Sequence, residues 1–418
     1  MSQVTTNPKA ATKPVKPTAQ FAVRHSQITE ALNIAEFGAG QAVAQRGVLI
    51  ETSRNRITLN TFDFWTAVSV SIPVGTAAVR GHSLLDFAEL KKALAAMVAG
   101  ETKKTAASTM VSLAGDLLAT EHITVPITTL DTNEFAHPPK AVPAIVTVDA
   151  QAFLAQLARV LPAAGQDITL PALTGVQMAL NGETLTMAAT DRYRFAVAEV
   201  TTQPAMSDEK ELTTLIPAGI LAALAKRLKA YDGPVGIGIT QNADDVAWTT
   251  LSMGDTTITI RPLEGELPKY KSLFPTGRDV SVQADRATLV RGAKKCQALI
   301  KAKGETGSPV AFAWDDDGTL TLAPRIGTED DHARTKGMTA PAAITHGSVD
   351  TLRGNRLSLN AAFLLDALGT FTGDTITLHI RGMADGQTTK PVLLTDGSDM
   401  AGEGYRHLLM PVRLGRSK

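Results

Sequence analysis

Residues 187–199 read MAATDRYRFAVAE, and five of them have the right chemistry to hold a ligand. The flanking residues are mostly apolar and suit a pair of half-buried strands. Thr190-Asp191-Arg192-Tyr193-Arg194 interrupts them with two guanidinium forks, which bind carbonyls and carboxylates, and one phenol ring, which offers an apolar face with a polar tip. Asp191 is expected to order the turn or to pair with a nearby arginine, because aspartate readily accepts hydrogen bonds from the backbone just ahead of it. A hairpin with a polar rim and no ligand is the competing reading of these five residues.

Catalytic chemistry has little to stand on. The 8 histidines include no HExxH pair, and neither GxSxG nor GxxxxGK[ST] occurs. Gly38-Ala39-Gly40 is only a fragment of a dinucleotide-binding loop, and WDDDGTL at 314–320 lacks the spacing of a calcium loop. The single cysteine, Cys296, rules out a disulfide framework and thiolate metal sites. A non-catalytic binding protein without cofactor or metal is expected.

Bulk composition narrows the class. Hydrophobic residues make up 44% and charged residues 20% of the 418, as in a globular protein of two or three domains. The 41 basic and 41 acidic side chains cancel, so a nucleic-acid role cannot rely on bulk charge. No apolar run approaches the roughly 18 residues that a membrane helix needs. Residues 1–20, with spaced Lys and Pro and few apolar groups, read as a disordered tail, or as a weak basic arm.

The elements that would position the polar island recur along the chain. Ile57-Thr58-Leu59-Asn60, Leu185-Thr186-Met187-Ala188 and Leu320-Thr321-Leu322-Ala323 are alike, and their spacing matches the size of a domain. An amphipathic helix precedes each copy, with Ile28, Leu32 and Ala35, then Phe153, Leu154, Leu157, Val160 and Leu161, then Leu289, Ala293, Cys296 and Ile300 on its apolar face. A second helix follows each copy, expected from Leu84, from Pro217 in a first helical turn, and from Asn360 as N-cap. Asn181-Gly182 and Asp317-Gly318 are hairpin turns, while 256–263 and 374–382 alternate like antiparallel strands. The expected class is α+β: a disordered tail (1–20) and three similar domains at 21–140, 141–275 and 276–418, each with two helices over antiparallel strands.

With the repeat in place, the chain resembles the bacterial replicative sliding clamp, the beta subunit of the DNA polymerase III holoenzyme. LTGVQMALNGETLTMAATDRYRFAV (173–197) and YRHLLMPVRL (405–414) carry the resemblance most specifically, and ELPKYKSLFP (266–275) and LNAAFLLDAL (359–368) more weakly. The resemblance implies the DNA clamp fold, with helices on the inner face and sheets outside, and two subunits joined head to tail in a ring. It implies a cytoplasmic, nucleoid-associated processivity factor that encircles double-stranded DNA and docks the polymerase, the clamp loader and repair proteins through short linear motifs. A clamp-like paralogue with specialised partners is the alternative.

By the same resemblance, the docking pocket comprises Leu173, Gly175, Thr190, Arg192, Tyr193, Arg194, Phe195, Pro268, Leu273, Asn360, Phe363, Pro391, Leu408, Met410, Pro411, Val412 and Arg413. Leu173, Pro268, Leu273, Leu408 and Met410 would take leucine and phenylalanine anchors, while Arg194 and Arg413 would take peptide carbonyls or acidic groups. DNA would face Lys91, Lys92, Lys226, Arg227, Lys229, Arg291, Lys294 and Lys295, all on the expected helices, whose bland reading is a solvated face. Val125 and Ile127 would meet Leu299 and Ile300 of a second subunit, with intradomain core as the competing reading. The chain departs from the family pattern at TLNTFDFWTAV (58–68), where Trp65 is unusual, at EFGAGQAVAQRG (36–47), which lacks the basic residue that the family often presents to DNA there, and at LPA (170–172), which lacks the polar and aromatic DNA-touching residues of some clamps.

Overall fold

A computed structural model describes residues 18–413 other than 43, 75–78, 205–210, 241–246, 306, 316, 354–355, 385–386, 389, 398 and 403. Most of the expected tail, 1–17, and Leu414 lie outside the described residues, and Gln20 already opens the first strand. The chain packs as two compact units, Met1–Ala141 with Thr250–Ile260, and Val142–Thr249 with Arg261–Lys418.

The first unit carries helices α1 (His25–Ala35), α2 (Phe87–Met97) and α3 (Lys103–Ser108). Strand Gly47–Ser53 pairs on one edge with Gly81–Asp86 and on the other with Arg56–Phe62, which pairs in turn with Thr66–Pro73. A second, four-stranded sheet joins Gln20–Arg24, Met110–Ala114, Leu117–Ala119 and Thr124–Pro126. Ile28, Leu32, Leu90 and Leu94 from the helices and Ile50, Ile57 and Leu59 from the strands are fully buried and form the core.

The second unit carries α4 (Ala150–Val160), α5 (Ala218–Arg227), α6 (Tyr270–Leu273), α7 (Arg286–Ala302), α8 (Glu329–Arg334) and α9 (Ala361–Thr370). Its main sheet has nine strands, in the order Leu212–Pro217, Gly175–Asn181, Thr184–Thr190, Arg194–Thr201, Tyr405–Leu409, Val392–Thr395, Thr375–Ile380, Val280–Asp285 and Ala342–His346. Every neighbouring pair in it is antiparallel. Gly182, at φ 57°, makes the expected Asn181-Gly182 turn between two of these strands.

One junction recurs six times among the described residues: a strand runs straight into a helix, with its last residue as the N-cap. At four of them a carboxylate or amide accepts from the first helical turn: Asp86 from Glu89 N at 3.0 Å, Asp149 from Ala152 N at 2.8 Å, Asp285 from Thr288 N at 2.7 Å, and Asn360 from Ala362 N at 2.9 Å. Each such cap satisfies donors that the helix itself leaves open and contributes about 1 kcal/mol. The cap also corrects two expected helix starts. Leu84 and Leu85 are strand, because Asp86 stops the helix from extending backwards, and Pro217 is the cap residue rather than part of the first turn. The expected apolar faces are buried, except that Leu154 and Leu161 are only half-buried.

The helix-facing side of strand Tyr405–Leu409 holds a polar network inside the core. The Tyr405 hydroxyl donates to the Arg159 carbonyl at 3.0 Å, His407 Nδ1 lies 2.8 Å from that hydroxyl, and the Arg159 guanidinium sits 4.3 Å from the Tyr405 ring while binding Asp396 at 2.7 Å. Farther along the sheet, His379 is held between the hydroxyls of Ser281 and Thr395, both at 2.8 Å. Burial disfavours the imidazolium, so the pKa of His407 is pushed down to about 3 and that of His379 to about 4. The unfolded chain takes up these two protons near pH 6.5 and the folded chain does not, so stability is full above that pH and falls as pH drops towards 4. Unfolding free energies from urea titrations across this range should decline by up to about 1.4 kcal/mol per pH unit for each histidine. A double glutamine variant at 379 and 407 should show a shallower decline.

Candidate functional site

The turn singled out in the sequence is tightly determined. Strands Thr184–Thr190 and Arg194–Thr201 pair through Thr190 and Phe195, so Asp191, Arg192 and Tyr193 form the tip. Asp191 Oδ1 accepts from the backbone of Tyr193 and Arg194, each at 3.0 Å. Thr190 Oγ1 accepts from Arg192 N at 3.2 Å and donates to the Arg194 carbonyl at 2.6 Å. The tip closes only because Arg192 adopts φ 78°, a left-handed conformation that side chains with a Cβ rarely take.

Asp191 therefore orders the turn and pairs with an arginine, both as expected. Arg194 behaves differently. It is 9% exposed, its Nε donates to Asp191 Oδ2 at 2.9 Å, another guanidinium nitrogen donates to Asp366 Oδ2 at 2.6 Å, and the group lies 4.5 Å from the Phe363 ring. Two carboxylates thus already hold the guanidinium that was expected to meet a ligand, and through them it organises the site whose cleft it lines. Asp366 was not anticipated. Its one sequence signal is position, three residues after Phe363 on the same helix, where side chains share a face.

Strand Tyr405–Leu409 completes the site from far along the chain. It sets Leu408 opposite Phe195 and Leu409 opposite Arg194, and Met410 N extends the ladder by donating to the Tyr193 carbonyl at 2.8 Å. Phe195 and Leu408 belong to a buried cluster with Leu215, Leu267, Phe274 and Leu393, against which Leu173 also packs. The Phe195 and Phe274 rings meet edge to face at 6.0 Å.

A cleft of about 350 Å³ opens over this cluster, lined by Thr190, Arg192, Tyr193, Arg194, Phe195, Pro268, Leu273, Pro391, Leu408 and Met410. Tyr193 is 56% exposed and stacks on Phe363, with ring centres 6.0 Å apart. Leu273 at 41% and Met410 at 38% exposure leave apolar surface open to a ligand. All ten lining residues were expected. The other seven lie around the cleft rather than in its lining. Asn360 caps α9; Gly175, where a Cβ would come within 2.8 Å of Leu215, starts a sheet strand; Pro411 is buried; Val412 N donates to the Ser358 carbonyl at 2.8 Å; and Arg413 is exposed. Leu173 is half-buried behind the cleft, and Phe363 supports Tyr193.

The remaining expected residues are on or near the helices. Lys92, Lys226, Arg227, Arg291, Lys294 and Lys295 are exposed, while Lys91 is half-buried and binds Glu36 at 2.8 Å. Lys229 falls beyond the end of α5 rather than on it, because the helix stops at Arg227. Within the first unit Val125 is half-exposed and Ile127 is buried. On α7 Leu299 is 51% exposed and Ile300 is buried. Among the described residues no helix is long and apolar enough to cross a membrane.

Comparison with known proteins extends this picture to most of the chain. Residues 147–269 match the family model of the DNA polymerase III beta subunit, central domain. The chain is 30% identical over 378 residues to the beta sliding clamp of Streptomyces coelicolor, covering 88% of this chain and 91% of that protein. It is 26% identical over 377 residues to the beta sliding clamp homolog GriR of Streptomyces muensis, covering 88% and 92%. Among solved structures it is similar in fold to a DNA polymerase III beta subunit from Thermotoga maritima, with TM-score 0.74, 19% identity, and 95% and 100% coverage. It is likewise similar to a sliding clamp from Pseudomonas aeruginosa bound to griselimycin, with TM-score 0.77, 18% identity and the same coverage.

Proposed function

The chain belongs to the bacterial beta sliding clamp family, and on that premise we propose that it is a processivity factor, a non-catalytic ring that encircles duplex DNA and tethers polymerase, clamp loader and repair proteins. The cleft carries the tethering half of this reading. It is built from three stretches distant in sequence, around residues 190–195, 268–273 and 391–410, and it presents a preformed apolar hollow with a polar rim, the kind of site that captures a short extended peptide by a few anchors. Two subunits of three repeats each, 21–140, 141–275 and 276–418, would close the ring. The six strand-to-helix junctions, two in each of these segments, support that division.

The zero net charge fits this role. A closed ring holds DNA by topology, so exposed lysines and arginines on the helices need only give a weak, sequence-independent field. The place of work would be the cytoplasm, at the nucleoid. The likeness to GriR favours one second reading, a specialised copy with the same fold and altered partners. It predicts that the chain fails to replace the housekeeping clamp of its own cell.

Topology gives the sharper test. Loaded onto nicked circular DNA, the protein should stay bound through gel filtration in high salt and be lost once the circle is linearised. Equal loss from circle and line would contradict encirclement. Light scattering should return a dimer.

A further inference from the structure

Two arginines line the cleft, and they are in opposite states. Arg194 is neutralised by Asp191 and Asp366. Arg192 is exposed at the rim, and among the described residues its guanidinium makes no hydrogen bond or ion pair. Its charge reaches Asp167 only weakly, because that carboxylate is already bonded to the Thr169 hydroxyl at 2.6 Å and backbone at 3.0 Å, and Arg192 is the least of the influences on it.

The backbone does not call for arginine at this position. In the first unit the same turn occurs between strands Arg56–Phe62 and Thr66–Pro73. There Asp63 accepts from Trp65 N at 2.9 Å and Thr66 N at 2.6 Å, and Phe64 takes the left-handed position at φ 72°. Glycine would fit either tip with less strain. A long cation held in a disfavoured conformation, over a lining of Phe195, Pro268, Leu273, Pro391, Leu408 and Met410, is thus a feature of this site and not of the turn.

We propose that Arg192 selects partner segments that carry a carboxylate beside their apolar anchors. The inference rests on the peptide-docking reading above and adds the charge of the preferred partner. The rim position suits recognition by an exposed ion pair, which acts on selectivity more than on total affinity.

The test uses the full chain and a set of labelled pentapeptides. Gln-Leu-Ser-Leu-Phe is compared with variants carrying one aspartate, or one lysine, at each non-anchor position. Fluorescence anisotropy measures binding to the wild type, R192G and R192E. The wild type should favour at least one aspartate peptide over the neutral one by about fivefold at low salt, and less at high salt. R192G, which keeps a residue suited to the turn, should bring that ratio to about one, and R192E should favour the corresponding lysine peptide. A wild type indifferent to charge, or an R192G protein that keeps the acidic preference, would overturn the proposal. If no peptide binds the wild type, the docking reading itself fails, which is a separate and visible result.

Discussion

Replacing Met410 with arginine should reduce the affinity for an apolar-anchored pentapeptide of the Gln-Leu-x-Leu-Phe type by about 100-fold or more, the loss expected when a central anchor contact is destroyed. Met410 lines the cleft beside Leu408 and is 38% exposed, so its side chain meets the ligand space rather than the core. Its backbone amide, which holds the turn through the Tyr193 carbonyl, survives the substitution. The folded state should therefore keep its thermal midpoint while the hollow acquires a charge that an apolar anchor cannot solvate. Met410→Leu serves as the control, and should cost little because volume and polarity are nearly retained. Isothermal calorimetry on the three proteins decides the matter. An arginine variant that binds as well as the wild type would mean that peptides dock elsewhere.

Loss of the Arg194 side chain should have the largest effect on stability. Its guanidinium joins the hairpin tip to helix α9 through Asp191 and Asp366, which lies 172 residues farther along the chain. Arg194→Ala leaves Asp191, 14% exposed, without its cation, and strips the face of the Phe363 ring. Removing one partner of a buried pair is costly because the other charge remains, and a loss of about 2–4 kcal/mol is expected, reduced somewhat by the exposure of Asp366. Urea denaturation measures it. Peptide affinity should fall as well, because the Tyr193–Phe363 stack that walls the cleft depends on the same arginine. Adding Asp191→Asn to Arg194→Ala should recover part of the stability, since the orphaned charge is then gone. No recovery would mean that the arginine acts by packing alone.

Much of the architecture is legible in local patterns. Helix faces follow from apolar residues three and four apart, as with Leu289, Ala293, Cys296 and Ile300, all buried in α7. The junctions follow from single side chains, because Asp86, Asp149, Asp285 and Asn360 each stop a strand and start a helix by the same hydrogen bond. The helix expected from Leu84 began too early for a related reason. Apolar periodicity continues into the preceding strand, and only the cap marks the boundary.

The candidate site divides along the same line. Residue types and short-range spacing determined the hairpin, the ordering role of Asp191 and, through resemblance, all ten residues that line the cleft. Only tertiary structure decided that Arg194 faces inward to Asp366 while Arg192 faces out, and that Tyr405–Leu409 inserts beside Arg194–Thr201 in one sheet. Local propensities depend on neighbours a few residues away and are written in the chain. Which carboxylate meets which guanidinium, and which strand fills an open edge, depends on closing loops of some hundred residues or more, and that is settled only by the packing of the whole unit.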